Sequence, residues 1–200
     1  MTHRAPRTAL ADLLEGNRRF AAGTVVRPNQ SPSHRQLLET GQKPFAVVLG
    51  CSDSRVPVEL LFDQGFGDLF VVRNAGQVVG RAGSAQASIE FAVAQLGVTV
   101  VFVLGHDSCG AVGATVAHIV EGDDLPGAMP ILVTLTRDHL DPADPTLNPV
   151  EHHVAGTIRD LLEESAIVRE AAEAGRIIVA GGVYGLEDGR VRMIEAAAAD

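Results

Sequence analysis

The sequence predicts an α/β fold, a single domain with a mostly parallel central β-sheet, an antiparallel edge strand and flanking helices. From residue 43 onward, short runs of branched apolar residues alternate with amphipathic stretches. This alternation is typical of strand–helix–strand units with right-handed crossovers and a parallel sheet. Near the end, an Asp-Gly pair at 188–189 separates two apolar runs, which indicates a hairpin and therefore an antiparallel edge strand.

Length and composition narrow the class of protein. The chain has 200 residues, of which 46% are hydrophobic, and this suffices for one domain with a sizeable core. We expect that domain to span 1–200, with an N-terminal helical arm at 1–42 and an α/β core at 43–200. The net charge of −9 disfavours nucleic acid or an anionic membrane surface as the main partner. The N-terminus lacks the apolar segment of a signal peptide, so we expect a cytoplasmic protein whose thiols stay reduced.

The arm is expected to contain two helices. The first spans 9–22 with Thr8 as its N-cap, and the second spans 33–40 and ends at Gly41. Their apolar surface is too small for them to be stable alone. We therefore expect them to pack on the core or on another subunit.

The core is expected to contain five strands. The strands are predicted at 45–49, 69–73, 98–104, 176–180 and 191–194. Helices are predicted at 57–64, 84–96, 109–120, 129–139, 150–164 and 166–174. Residues 141–149, with three prolines, are expected to be a turn-rich connection.

Residues with metal-binding side chains directly follow two of the predicted strands. Cys51 and Asp53 follow the first strand, with Arg55 just beyond, and His106 and Cys109 follow the third. Because ligands bind outside the carboxyl ends of parallel strands, we expect these side chains to converge. Two thiolates and an imidazole suit zinc, and a fourth position would admit water. Since two thiolates neutralise the ion, activity should rise toward alkaline pH.

The residues alone leave alternatives open. Asp53 could complete the zinc tetrahedron, or Arg55 could hold it in a charge-assisted pair and leave that position to water. Each cysteine could also be a small core residue, and a Cys51–Cys109 disulfide is disfavoured only by compartment. His152 and His153 are expected on a solvated helix face rather than at a metal. His118 and His139 show no evident partner.

The two motifs resemble those of the β-class carbonic anhydrases, which combine Cys-x-Asp-x-Arg with His-x-x-Cys. Here they are Cys51-Ser-Asp-Ser-Arg55 and His106-Asp-Ser-Cys109, and the segments 16–20, 70–76 and 88–92 also resemble the family. The resemblance implies reversible hydration of carbon dioxide to bicarbonate and a proton. It implies one Zn²⁺ per chain on Cys51, His106 and Cys109, a catalytic dyad of Asp53 and Arg55, and a homodimer or dimer of dimers. The substrate-pocket residues that it implies are Gln30, Phe70, Ala75, Gly76 and Gly110.

The resemblance also bears on regulation and on rival functions. Some bacterial members bind bicarbonate in a pocket of Trp, Arg and Tyr, of which Arg73 and Tyr184 match two, while Val48 stands at the Trp position. Phe91 occupies the place of a pocket tyrosine. Hydrolysis of carbon disulfide or carbonyl sulfide on the same fold stays open. So do a non-catalytic zinc protein with a structural or redox role and a metal-free binding module.

Overall fold

A five-stranded sheet in the order β2-β1-β3-β4-β5 forms the centre of the computed structural model, which describes residues 4–141 and 148–197. The strands are β1 (Ala46–Cys51), β2 (Leu69–Asn74), β3 (Val100–His106), β4 (Ile178–Tyr184) and β5 (Val191–Ala197). The first four run parallel, and β5 pairs antiparallel with β4. This confirms the predicted sheet, including its antiparallel edge strand.

Helices cover both faces of this sheet. The helices are α1 (Pro6–Ala21), α2 (Pro32–Leu37), α3 (Val58–Leu61), α4 (Ser84–Phe91), α5 (Gly110–Glu121), α6 (Pro130–Thr134), α7 (Pro149–Glu164) and α8 (Ala166–Glu173). Alternate residues of β1 point to opposite faces, so that Val48 packs with α1 and α3 while Val47 packs with α4, α5, α7 and α8. Every residue of β1 and β3 is buried, which explains why both strands read as continuous apolar runs.

The first helix of the arm packs on this same chain. Ala9 and Leu13 are buried against the sheet face that α3 also covers. Asn17 fixes the far end of α1, since its Nδ2 donates to Leu61 O at 3.1 Å and to Gly189 O at 3.0 Å. Its Oδ1 accepts from the Val191 N–H at 2.8 Å, which joins α1 to the β4–β5 hairpin.

The helix boundaries of the arm differ from those expected. The first helix begins at Pro6 rather than at residue 9, and Thr8 is not its N-cap, because proline suits the first helical position. The second also begins with a proline and ends at Leu37, short of the predicted 40. Its N-cap is Ser31, whose Oγ accepts from the His34 N–H at 3.1 Å. It buries no residue in this chain, so its packing on a partner stays a prediction.

Other differences lie at element ends. The strands β1 and β3 end two residues later than predicted, and β4 four residues later, because their parallel ladders continue to Cys51, His106 and Tyr184. The predicted helix at 129–139 is divided into α6 and a 3₁₀ turn at Arg137–His139. The predicted connection at 141–149 lies mostly outside the described residues. Within the described ranges, no helix combines the length and apolarity needed to cross a membrane.

Candidate metal centre

Three side chains that can bind a metal meet at the carboxyl edge of the sheet. Cys51 is the last residue of β1, His106 is the last residue of β3, and Cys109 is the N-cap of α5. One ligand atom from each side chain lies within 4.8 Å of the other two. All three residues are buried, with His106 at 0% exposure. The structure thus brings together the three residues that the sequence placed at strand ends.

The hydrogen bonds of His106 leave one ring nitrogen unused. Its Nδ1 donates to the carbonyl oxygen of Asp107 at 2.9 Å, so Nε2 carries the free lone pair. Nε2 is buried and has no hydrogen-bond partner among the described residues. A buried nitrogen without a partner destabilises the fold unless something binds it. Histidines that bind metals are commonly oriented by a carbonyl on the other ring nitrogen, as Asp107 O orients His106 here. The donor set therefore fits a zinc ion.

The two thiols lie close together without a disulfide. Cys51 Sγ and Cys109 Sγ are 4.0 Å apart, and both cysteines are free. The hydrogen bond from Cys109 lowers the pKa of the Cys51 thiol, and the Gly76 N–H, 3.3 Å from Cys51 Sγ, lowers it further. Cys109 keeps the shared proton, so its own pKa is raised. A buried thiolate beside a second thiol and an imidazole is a strong site for a soft divalent metal.

Asp53 lies beside these ligands but pairs with Arg55. Its Oδ1 accepts from Arg55 Nε at 2.9 Å and from the Arg55 backbone N–H at 2.9 Å, while Oδ2 accepts from a terminal guanidinium nitrogen at 2.7 Å. This two-pronged pair holds the pKa of Asp53 well below its usual range. The same Oδ2 is 3.9 Å from Nε2 of His106. Of the two expected arrangements of Asp53, the structure has the one in which Arg55 holds the carboxylate.

Arg73 fixes the backbone between Cys51 and Asp53. Its Nε donates to Cys51 O at 2.9 Å, and a terminal nitrogen donates to Asp53 O at 2.7 Å. The sequence interpretation had not given Arg73 this role. The role could have been predicted from the position of Arg73 near the end of the predicted strand β2, which lies beside the end of β1.

Comparison with known proteins agrees with this geometry. The family model for carbonic anhydrase matches residues 46–191. Carbonic anhydrase 2 of Mycobacterium tuberculosis is 43% identical over 199 residues, covering 95% of this chain and 93% of the relative. The carbonic anhydrase of Mycolicibacterium smegmatis is 41% identical over 198 residues, covering 96% and 95%. The solved β-carbonic anhydrase of Coccomyxa, in complex with acetazolamide, superposes with a TM-score of 0.72 at 26% identity, covering 95% of this chain and 88% of that one.

The chain belongs to the β-class carbonic anhydrase family. The resemblance seen in its two motifs is confirmed over nearly the whole length.

Two of the five pocket residues expected of a β-carbonic anhydrase lie next to the proposed metal ligands. Gly76 is buried and contacts Cys51 through its N–H, and Gly110 opens α5 directly after Cys109. Ala75 precedes Gly76 in the 3₁₀ turn at Ala75–Gln77. Phe70 is half-buried in β2, with its ring centre 6.2 Å from that of Phe91. Gln30 is exposed in the loop between α1 and α2.

Two histidines of this β-carbonic anhydrase are placed differently from the sequence expectation. His153 is fully buried, so the prediction of a solvated helix face was wrong for it. His139 does have partners, since its ring contacts both His153 and Asp160. The sequence could not show these contacts because they join residues that are 14 and 21 positions apart in different elements.

Proposed function

We propose that this protein catalyses the reversible hydration of carbon dioxide to bicarbonate and a proton, with one Zn²⁺ per chain held by Cys51, His106 and Cys109. The observation that carries this proposal is the buried ligand cluster with its orphaned Nε2, set beside an ionised Asp53. Membership in the carbonic anhydrase family supports it. A zinc ion held there supplies Lewis-acid chemistry, which makes water nucleophilic near neutral pH.

Asp53 and Arg55 would orient the attacking water. An ionised carboxylate only accepts hydrogen bonds. Asp53 would therefore accept a hydrogen bond from the attacking water, and this bond would orient a lone pair of the water toward the substrate carbon. Arg55 keeps the carboxylate ionised and away from the ligand atoms through the bonds at 2.7 and 2.9 Å. Asp53 and Arg55 are the proposed catalytic pair.

The substrate would lie next to this pair. We assign Gly76 and Gly110, which adjoin the ligands, and Ala75, Phe70 and Gln30 to the pocket for carbon dioxide and bicarbonate. No atom lies within 4 Å of the position that a Cβ on Gly110 would take, which leaves room for a small molecule beside Cys109. The pocket assignment rests on the family resemblance together with these positions.

The test is stopped-flow hydration of carbon dioxide between about pH 6.5 and 9, with the zinc content of the same sample, because acidification of water at zinc falls in this range. We expect about one zinc per chain and a rate that climbs with pH, since two thiolates make the metal a weaker acid than three neutral histidines would. A zinc-loaded protein that is inactive across the range would contradict the proposal.

The rival functions are less well supported. A structural zinc site would need Asp53 as its fourth protein ligand. Here Arg55 instead holds Asp53 in a bidentate pair. Nothing in the described residues favours carbon disulfide or carbonyl sulfide over carbon dioxide. The relatives at 41% and 43% identity are named carbonic anhydrases.

We also propose that the protein is a homodimer or a dimer of dimers in the cytoplasm. The helix α2 buries none of its residues in this chain, and Leu37 is 76% exposed. Six residues are too few for a helix to be stable without packing, so a second copy is the proposed cover. The free state of both cysteines agrees with a reducing compartment.

A further inference from the structure

Three side chains behind the metal centre form a continuous line of hydrogen bonds that ends at the Gly76 peptide. We propose that Asp160, His139 and His153 are positioning residues, which hold the Gly76 backbone through its carbonyl so that the N–H of the same residue donates to the Cys51 thiolate and tunes the thiolate as a metal ligand. The proposal rests on the proposed zinc site and names what controls one of its ligands.

Each contact along this line is within hydrogen-bonding distance. Asp160 Oδ2 is 2.8 Å from His139 Nε2, and His139 Nδ1 is 2.9 Å from His153 Nδ1. His153 Nε2 is 2.7 Å from the Gly76 carbonyl oxygen, while the Gly76 N–H lies 3.3 Å from Cys51 Sγ. The line thus runs from a partly exposed carboxylate on α7 to a proposed metal ligand on β1.

The acceptors at the two ends set the direction of every bond. A carbonyl oxygen only accepts, so His153 donates from Nε2 to Gly76. Burial lowers the pKa of His153 to about 4, so this ring is neutral and its Nδ1 accepts. His139 must then donate from Nδ1 to His153 and from Nε2 to the Asp160 carboxylate.

The turn that receives this line needs support from outside. Gly76 has φ +75° and Gln77 has φ +44°, so a residue with a side chain occupies the left-handed region here. Asn74 closes the turn at its base with two bonds of 2.8 Å to the backbone of Val78. The fully buried amide of Gln77 has no partner among the described residues, so it does not anchor the tip. The bond from His153 does.

A glycine in α7 makes room for the outer histidine. A Cβ at Gly156 would lie 2.2 Å from Cγ of His139. Glycine inside a helix is unfavourable, and here it allows the His139 ring to lie beside the His153 ring with ring centres 5.1 Å apart. The fold therefore accepts an unfavourable helical residue where the histidine pair needs the space.

A hydrogen bond to a thiolate draws charge from sulfur and makes it a weaker donor to a metal. Residues that support ligands in this way typically affect metal affinity or activity by about 10- to 100-fold. If His153 lost its bond to the Gly76 carbonyl, the backbone of Gly76 would no longer be held in this conformation. Its N–H would turn away from Cys51 Sγ, and the sulfur would regain that charge.

The test uses cobalt(II)-substituted protein, whose thiolate-to-cobalt charge-transfer band reports on the sulfur directly. His153→Leu removes the donor while filling much of its volume. We expect the band to move to lower energy and zinc affinity to rise, because Cys51 Sγ regains charge and becomes the stronger donor. His153→Gln places an amide donor near the position of Nε2 and should return both values toward wild type. His152→Ala, on the same helix, is the matched control and should leave both unchanged.

The outcomes separate the possible failures. An unshifted band in His153→Leu, or an equal shift in His153→Gln, would overturn the positioning role. If His153→Leu does not fold, Gly156→Ala and the partly exposed Asp160→Asn probe the outer end of the line, and a wild-type band in both would also overturn it. A wild-type protein that shows no thiolate–cobalt band would instead contradict the metal centre itself.

Discussion

At the scale of single residues, the chemistry of this β-carbonic anhydrase depends on which atoms the surrounding bonds leave free. The Asp107 carbonyl uses one nitrogen of His106 and leaves Nε2 facing the two thiols. Arg55 uses both oxygens of Asp53 and keeps that carboxylate off the ligand atoms. The short segment from Cys51 to Arg55 therefore contains a proposed metal ligand, a carboxylate proposed to accept a hydrogen bond from the nucleophile, and the arginine that holds this carboxylate.

Removal of one proposed ligand should remove the metal. We expect Cys109→Ala to lose bound zinc and carbon dioxide hydration together, because two remaining protein ligands do not make a closed site for zinc. Zinc per chain and hydration rate are measured on the same sample. His118→Ala, on the same helix, is the control. Full zinc content in Cys109→Ala would refute the proposed coordination.

Removal of Asp53 should separate catalysis from metal binding. We expect Asp53→Ala to keep its zinc and to lose hydration by about a hundredfold or more, the usual contribution of a positioned acid–base group. Ser54→Ala is the neighbouring control. If Asp53→Ala lost its metal, Asp53 would be a ligand in the working enzyme.

At the scale of elements, a buried carboxylate holds the loop between α1 and α2. Asp63, after α3, accepts from the Val26 and Arg27 N–H groups at 2.9 Å each and from Arg19 Nε at 2.6 Å. These bonds fix the loop that carries Gln30. Although burial opposes ionisation, the bonds from Val26, Arg19 and Arg27 keep the pKa of Asp63 below its usual value.

Asp63 should therefore contribute to stability in a pH-dependent way. We expect Asp63→Ala to lower the free energy of unfolding by about 2–4 kcal/mol at neutral pH, because three partly buried donors lose their buried acceptor. Because the folded pKa is the lower one, this contribution is present above the unfolded value of about 4 and is lost as pH falls. Urea unfolding at several pH values measures it.

The exposed Asp138→Ala is the control and should change the free energy of unfolding by less than about 0.5 kcal/mol. A difference between Asp63→Ala and wild type that stays constant into acid would rule out the ionised carboxylate as its source.

At the scale of the whole molecule, one sheet joins the arm, the metal centre and the hairpin. The helix α1 is tied to β5 through Asn17, and α7 spans from the sheet to the turn behind Cys51. The helix α2 buries none of its residues in this chain. That surface is where the proposed second copy would pack.

A charge on this surface should disrupt self-association. We expect the wild type to sediment as a dimer or larger and Leu37→Asp to sediment as a smaller species, because burying an unpaired charge at an interface is costly. Gln36→Asp, which adds the same charge to the same helix, is the control. Identical sedimentation of Leu37→Asp and wild type would place the interface elsewhere.

The sequence by itself determined the strand–helix order and the antiparallel hairpin. It also determined which residues are the candidate metal ligands and which form the candidate catalytic pair. It could do so because apolar periodicity and residue type act locally: Cys51 and His106 directly follow apolar runs, and Asp-Gly marks the turn at 188–189. The start of α1 and the break after α6 were missed, since capping and helix length depend on packing that a local pattern does not contain.

Only the tertiary structure decided which arrangement Asp53 takes, that Arg73 holds the backbone beside it, and that His139 and His153 form one buried line. Each of these depends on atoms brought together from distant parts of the chain: 77 positions separate His153 from Gly76. Hydrogen bonds are short and directional, so they follow from the relative placement of helix, turn and sheet rather than from the residue types at either end.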